Sequence, residues 1–200
     1  MNSTLPAAHD PYLIELAAEL LRRPSALADL QAEEARTVVS YMRLWQCDEG
    51  AVLLREGEQA DTGHMLLVID GEVSVENTVV SRTDPLIVTV LGPGSLIGEM
   101  GLLDGAPRAA SCIAMTPVQA ASLSRGALRR LMIDEPAVAA KLLANISQGM
   151  AQRLREAGRQ QRVYSQLVRA MQEEINELNH QLQQVMGGAL NRAARQSDQD

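Results

Sequence analysis

The chain has 200 residues, 46% of them hydrophobic, and a formal net charge of −7. That is enough for one well-cored domain with an appendage, and it argues against a protein whose whole surface tracks phosphate backbones. Phenylalanine is absent and only one Trp and three Tyr occur, so the core is built from Leu, Val, Ile, Met and Ala, and aromatic stacking platforms for single-stranded nucleic acid are disfavoured.

Residues 1–36 read as N-terminal helices. Leu13, Leu16, Ala17, Leu20 and Leu21 fall at helical spacing between residues 10 and 23 and are ended by Pro24. A second helical stretch is expected from about Ser25 to Arg43, and both would pack beneath the domain that follows. From Trp45 to Ser124 the chain alternates short strand-like runs, such as Val73 to Val80 and Leu86 to Leu91, with breaks at Gly71, Asp84-Pro85 and Gly92-Pro93-Gly94. Strands this short and this often interrupted predict a jelly-roll-like β-roll over residues 37–135. A short helix over 124–135 follows, with Ser124 as its cap, and Pro136 opens a new one. The fold class is mainly β with flanking helices.

No proline interrupts the chain from Pro136 to about Met186, and Tyr164, Val168, Met171, Ile175, Leu178, Leu182 and Val185 follow a 4-3 spacing. That is a coiled-coil seam. The same register runs back, more weakly, through Gln161, Ala157, Leu154, Met150, Ser147 and Leu143. A long dimerising helix is therefore expected over 136–188, as a parallel homodimer, with a polar tail at 189–200. The alternative is an amphipathic helix folded back on its own domain.

The most chemical segment is Gly98-Glu99-Met100-Gly101-Leu102-Leu103-Asp104-Gly105-Ala106-Pro107-Arg108-Ala109-Ala110-Ser111. Gly98 and Gly101 let the backbone approach a ligand closely, and a helical turn starting near Met100 aims unpaired N–H groups at an anion. Arg108, after a proline and before two small residues, is the candidate phosphate partner. Glu99 is a candidate acceptor for a ribose 2′-OH. Together these are the parts of a sugar-phosphate clamp. A Gly/Pro-rich hairpin carrying a surface Glu99–Arg108 salt bridge is the plainer alternative.

This segment resembles the phosphate-binding cassette of cyclic nucleotide-binding domains, as in protein kinase A regulatory subunits and the bacterial catabolite activator (Crp/Fnr) family. The likeness extends upstream through Gly50-Ala51-Val52-Leu53-Leu54-Arg55-Glu56-Gly57-Glu58-Gln59-Ala60-Asp61 and Met65-Leu66-Leu67-Val68-Ile69-Asp70-Gly71-Glu72-Val73, and covers roughly residues 37 to 155. It implies that Glu99 and the Gly98 backbone hold the ribose 2′-OH. It further implies that Gly101 and Ala109 give N–H groups to the phosphate, and that Arg108 pairs with its exocyclic oxygens. Met100 and Ala110 complete the implied ligand-binding set. Ala109 is common in kinase-type cassettes that prefer cAMP over cGMP, which favours cAMP with cGMP as the other candidate; a cyclic dinucleotide also stays open. The resemblance further implies that the long helix closes over the base near Met150 through Ala157, with Arg153 and Leu154 as base-capping candidates. Bacterial activators continue into a helix-turn-helix domain; here the heptads are expected to run on to Gly187-Gly188 without one.

The expected function is a cyclic nucleotide sensor that signals to an unidentified protein partner through a dimeric coiled coil. A ligand-independent structural adaptor is one alternative. An atypical nucleic-acid-binding regulator using Arg153, Arg155, Arg159, Arg162 and Arg169 is another. No nucleophile–base pair or carboxylate dyad stands out, so an enzyme is not expected, and Asp104 reads as a turn former. His9, His64 and His180 lack ligand spacing and read as surface histidines, so no metal site is expected. Cys47 and Cys112 read as reduced core cysteines. Without a basic leader or a run approaching 18 apolar residues, a cytoplasmic location without membrane insertion is expected, and no cofactor.

Overall fold

A computed structural model describes residues 11–22, 30–77 and 86–197, with side chains described as far as 178 except at 77 and 86–88. Two helices, α1 (Pro11–Leu21) and α2 (Ala32–Ser40), precede strands β1 (Arg43–Cys47), β2 (Val52–Leu54), β3 (His64–Asp70), β4 (Val73–Asn77), β5 (Leu86–Leu91) and β6 (Leu96–Ile97). A short helix α3 (Glu99–Asp104), strands β7 (Ser111–Ala114) and β8 (Val118–Ser124), and helices α4 (Arg125–Asp134) and α5 (Pro136–Ser197) complete the order. The expected roll is present as two antiparallel four-stranded sheets, β1-β8-β3-β6 and β2-β7-β4-β5. Residues 78–80 and 84–85, which the strand and turn expectations included, lie outside the described residues, as do 198–200 of the tail.

The apolar run Met65-Leu66-Leu67-Val68-Ile69 explains where the cores sit. A strand exposes alternate side chains on opposite faces, so a strand apolar throughout must be covered on both. On one face Met65, Leu67 and Ile69 join Ala121 and Leu123 of β8 and meet α1, α2, α4 and the first turns of α5. On the other, Leu66 and Val68 join Ala120 and Val118 and meet Leu54, Val73, Cys112 and Ala114 of the second sheet. Cys47 and Cys112 are both buried and unpaired there. Gly71 is required by its tight turn: its φ is 89°, and a Cβ would lie 2.4 Å from the Pro117 carbonyl oxygen.

The second helix is shorter than the sequence predicts. Residues 25–29 lie outside the described set, and α2 starts at Ala32, where the Gln31 N–H donates to Glu34 Oε2 at 2.9 Å. It ends at Ser40 because Tyr41 and Met42 turn their N–H groups back onto Val38 and Val39, and Arg43 pairs with Ser122 as the first residue of β1. Ser124 caps α4 as expected, its hydroxyl accepting the Ala127 N–H at 3.2 Å.

The chain divides into two units, residues 1–150 and 151–200. In the first, Val138, Ala139, Leu142 and Ile146 of α5 are buried in the helical cluster, with Leu143 and Met150 packed half-buried against it. The backward extension of the heptad register through Leu143 and Met150 is therefore taken up by the chain's own core. In the second, Leu154, Tyr164, Val168, Met171, Ile175 and Leu178 are exposed, as are Ala157 and Gln161; the side chains of Leu182 and Val185 lie outside the described set. The helix also continues to Ser197, past the expected end at 188. Two glycines cost a helix about 1 kcal/mol each, and Ala189, Leu190, Arg192, Ala193 and Ala194 beyond them are good helix formers. Among the described residues no helix is long and apolar enough to cross a membrane.

Candidate functional site

The segment between β6 and β7 holds the residues singled out above. Gly98 caps α3 with a φ of 77°, a left-handed conformation that few side chains tolerate. Helix geometry leaves the N–H groups of Met100 and Gly101 in the first turn without intrahelical acceptors. At the other end of α3, Asp104 accepts the Ala106 N–H at 2.8 Å, as a turn former should. Arg125 caps this short helix from α4: Nη2 donates to the Gly101 carbonyl at 2.6 Å and Nε to that of Leu102 at 3.0 Å.

Arg108 is held from both sides. Its backbone pairs with Glu58 and Gly57, the N–H donating to the Glu58 carbonyl at 3.1 Å and the carbonyl accepting from Gly57 at 2.9 Å. Its guanidinium is buried, with Nη1 donating to the carbonyls of His64 (3.0 Å) and Gly98 (2.9 Å) and Nη2 to that of Asp61 (2.8 Å). Nη2 also lies 3.2 Å from His64 Nδ1. An arginine has five N–H donors in a fixed fork; three are given to carbonyls, and a fourth faces His64 Nδ1. The fifth, on Nε, is buried without a partner. Burial pulls the guanidinium below its ordinary pKa, and the negative groups of Asp61, Glu58, Cys112 and Glu99 work against that pull.

The geometry refines the sequence reading in three ways. Glu99 and Arg108 are each only 4% exposed, so neither projects freely outward and a surface salt bridge between them is excluded. Second, the space beside the glycines holds the arginine: a Cβ on Gly98 would sit 2.8 Å from Arg108 Nη1, and one on Gly101 would sit 2.9 Å from it and 2.7 Å from the Thr62 carbonyl oxygen. Third, His64 is no ordinary surface histidine. Its Nδ1 faces both Arg108 and the Asp61 carboxylate, the latter at 3.1 Å.

Gly98, Glu99, Met100, Gly101, Arg108, Ala109 and Ala110 are thus brought together, with Met100 and Ala109 exposed and Ala110 half-buried. Arg153 and Leu154 belong to the second unit, where both are exposed, and are not among the residues the first unit assembles around Arg108. The arginines at 155, 159, 162 and 169 are exposed as well, and Arg159 is paired with Glu156. Asp61, Thr62 and Arg125 were missed because the first two act largely through backbone carbonyls and the third acts across 24 residues of sequence. Beside the site, burial pushes the Cys112 thiol up to about 11, with the Glu99 carboxylate adding to that rise and Arg108 opposing it. Among the described residues no group of three or more His, Cys, Asp or Glu is placed to hold a metal ion.

Known proteins are similar to this chain in sequence and fold. The family model described as cyclic nucleotide-binding domain matches residues 44–135. A CRP-like cAMP-activated global transcriptional regulator of Mycobacterium tuberculosis is 26% identical over 125 residues, which are 62% of this chain and 54% of that protein. A cAMP-dependent protein kinase regulatory subunit of Yarrowia lipolytica is 31% identical over 53% of this chain and 26% of its own length. The chain thus spans about half of one of these relatives and about a quarter of the other. The crystal structure of a cyclic nucleotide-binding domain from Methylobacillus flagellatus superimposes with a TM-score of 0.66 at 32% identity, covering 76% of this chain and 84% of that one.

Proposed function

Because the chain belongs to the cyclic nucleotide-binding domain family, we propose that it is a cAMP sensor that signals to a protein partner through a dimeric coiled coil. The unpartnered Nε–H of Arg108 is the observation that carries this reading. A charged donor buried beside three occupied carbonyl contacts is costly to leave unmade, and an exocyclic phosphate oxygen would satisfy it with a charge-assisted hydrogen bond. The N–H groups of Met100, Gly101 and the exposed Ala109 supply further donors for the anion, and Glu99 an acceptor for the ribose 2′-OH. Ala109 offers no hydroxyl of its own, which favours cAMP over cGMP.

The signalling half rests on the exposed stripe of α5. Tyr164, Val168, Met171, Ile175 and Leu178 are between 48% and 67% exposed at positions that repeat every 3.5 residues on average, the pattern a second helix covers. Binding that changes the stability or angle of such a pair changes its affinity for a partner, by a coupling that is reciprocal. Calorimetric titration of nucleotide-free protein with cAMP, and separately with cGMP, tests the first half. Binding of about one cAMP per chain, tighter than cGMP, is the expected result. No heat with either ligand would overturn it and leave a ligand-independent adaptor as the reading.

A further inference from the structure

A cavity lies against the β1-β8-β3 face of the roll, lined by residues other than those of the cassette. It measures about 490 Å³, and Arg43 and Trp45 of β1, His64 of β3, Ser122 of β8, Arg130 of α4 and the loop residue Asp61 line it. That volume lies within the range of pockets that enclose small organic molecules. Arg43 and Arg130 are exposed, and among the described residues neither guanidinium is held in an ion pair. The nearby acids are already engaged, Asp61 with His64 Nδ1 at 3.1 Å and Asp134 with the Tyr41 hydroxyl at 2.9 Å. Two arginines thus line a cavity together with the half-buried Trp45 and Leu53 and the buried Leu66.

We propose that this cavity is a second ligand site, for a small anion with a planar apolar body, an aryl carboxylate or sulfonate in chemical class. The anionic group would lie between Arg43 and Arg130, where the guanidinium fork matches two oxygens of one acid. The planar body would lie against Trp45, Leu53 and Leu66, and Ser122 adds a hydroxyl donor. One wall is shared with the nucleotide cassette. Asp61 and His64 line the cavity, and their carbonyls are two of the three that hold the Arg108 guanidinium. Gly63, between them, accepts the Arg125 N–H at 2.6 Å, and Arg125 in turn caps α3. Occupancy that moves the 61–64 segment must therefore move the Arg108 cradle, and the two ligands are coupled; the coupling, unlike the site, rests on the cyclic-nucleotide reading.

The test uses 4-fluorobenzoate as probe and neutral 4-fluorobenzamide as control, observed by fluorine NMR on the full chain. The benzoate is expected to bind at least about tenfold more tightly than the amide, and to lose that binding in the double variant Arg43→Gln, Arg130→Gln. Both substituted residues are exposed and outside the cassette, so the variant should fold and bind cAMP as the parent does. Saturating benzoate is expected to shift the cAMP dissociation constant by about threefold or more in the parent and not in the variant. Absence of benzoate binding at about 10 mM, or equal binding by parent and double variant, overturns the site. Benzoate binding with an unmoved cAMP constant overturns the coupling alone. If cAMP fails to bind at all, the coupling falls with the sensor reading, while the probe arm still decides the cavity.

Discussion

The two units of this chain use the same residue types in opposite ways. In the first unit, Met65, Leu67, Leu123, Leu131 and Leu142 are completely or almost completely buried, and each has its contacts within the chain. Along the second unit, Leu154, Val168, Met171 and Leu178 are more than half exposed. The proposed coiled coil rests on that exposed stripe, since apolar faces of this kind are ones a second helix covers. Hydrophobic content alone therefore does not identify the core: what separates the units is whether the chain itself supplies a second layer. For α5 the change falls within one continuous helix, since residues up to Met150 meet the helical cluster and those from Ala151 on belong to the other unit.

The contrast can be broken at its strongest point by truncating one residue in each unit. Leu67→Ala in the buried strand is expected to cost about 3–4 kcal/mol, from lost transfer energy plus a cavity, and to lower the melting temperature equally at all protein concentrations. Met171→Asp in the exposed stripe should leave melting of the roll unchanged while converting a dimer to a monomer in sedimentation. If Met171→Asp lowers roll stability as much as Leu67→Ala does, the stripe is folding core and the comparison fails.

The next effect is at the ligand site. Arg108→Lys keeps the charge but replaces a five-donor fork by a point charge that cannot serve the carbonyls of Asp61, His64 and Gly98 together. A loss of about 2–3 kcal/mol in cAMP binding, roughly 30- to 150-fold, is expected by calorimetry. An affinity unchanged in a folded variant would remove Arg108 from the site. Dimerisation should not respond to this substitution in the absence of nucleotide, which separates the function of the roll from that of the stripe.

How legible each of these regions is in the sequence follows from what carries it. Leu86 to Leu91, the Ser124 cap and the Pro136 start are local, written in residue type and spacing, and appear where expected. The cassette was recognisable because glycines, an acid and an arginine recur at fixed offsets. The cradle behind Arg108 was not, because backbone carbonyls have no residue signature and Asp61 and His64 approach from another strand connection. His64 was misjudged for the same reason: nothing in its neighbours announces an arginine 44 positions later. Heptad spacing was visible along α5, yet periodicity cannot say that Leu143 and Met150 face the chain's own core while Met171 faces solvent.

A smaller effect concerns the thiol beside the site. Cys112 in the folded protein ionises near 11, above its ordinary value, because burial disfavours the thiolate. The raised value makes the protonated form the one the fold favours. Its contribution is complete below the unfolded thiol's pKa of about 8.5–9 and is lost as pH rises from there to about 11, up to about 3 kcal/mol. Urea unfolding across that window should show the decline, and Cys112→Ala should flatten most of it, Cys47 retaining a share because burial raises its pKa too. A decline of equal size in the variant would assign the pH dependence elsewhere.

The finest probe is the cap of α4. Ser124 ends β8 in an extended conformation, φ −83° and ψ 158°, and turns its hydroxyl onto the Ala127 N–H. Removing that acceptor with Ser124→Ala should cost about 1 kcal/mol, because one first-turn N–H loses its side-chain partner and water reaches the buried Ala127 poorly. The loss belongs to the roll alone. Leu128 and Leu131 of the same helix are buried in the cluster that also holds Leu142 and Ile146, so a weakened α4 is expected to lower the melting temperature by a few degrees. The dimer constant measured at the exposed stripe should stay the same. A fall in dimer affinity with unchanged melting would mean that the stripe depends on the roll for its geometry, and that the two units are less independent than their burial suggests.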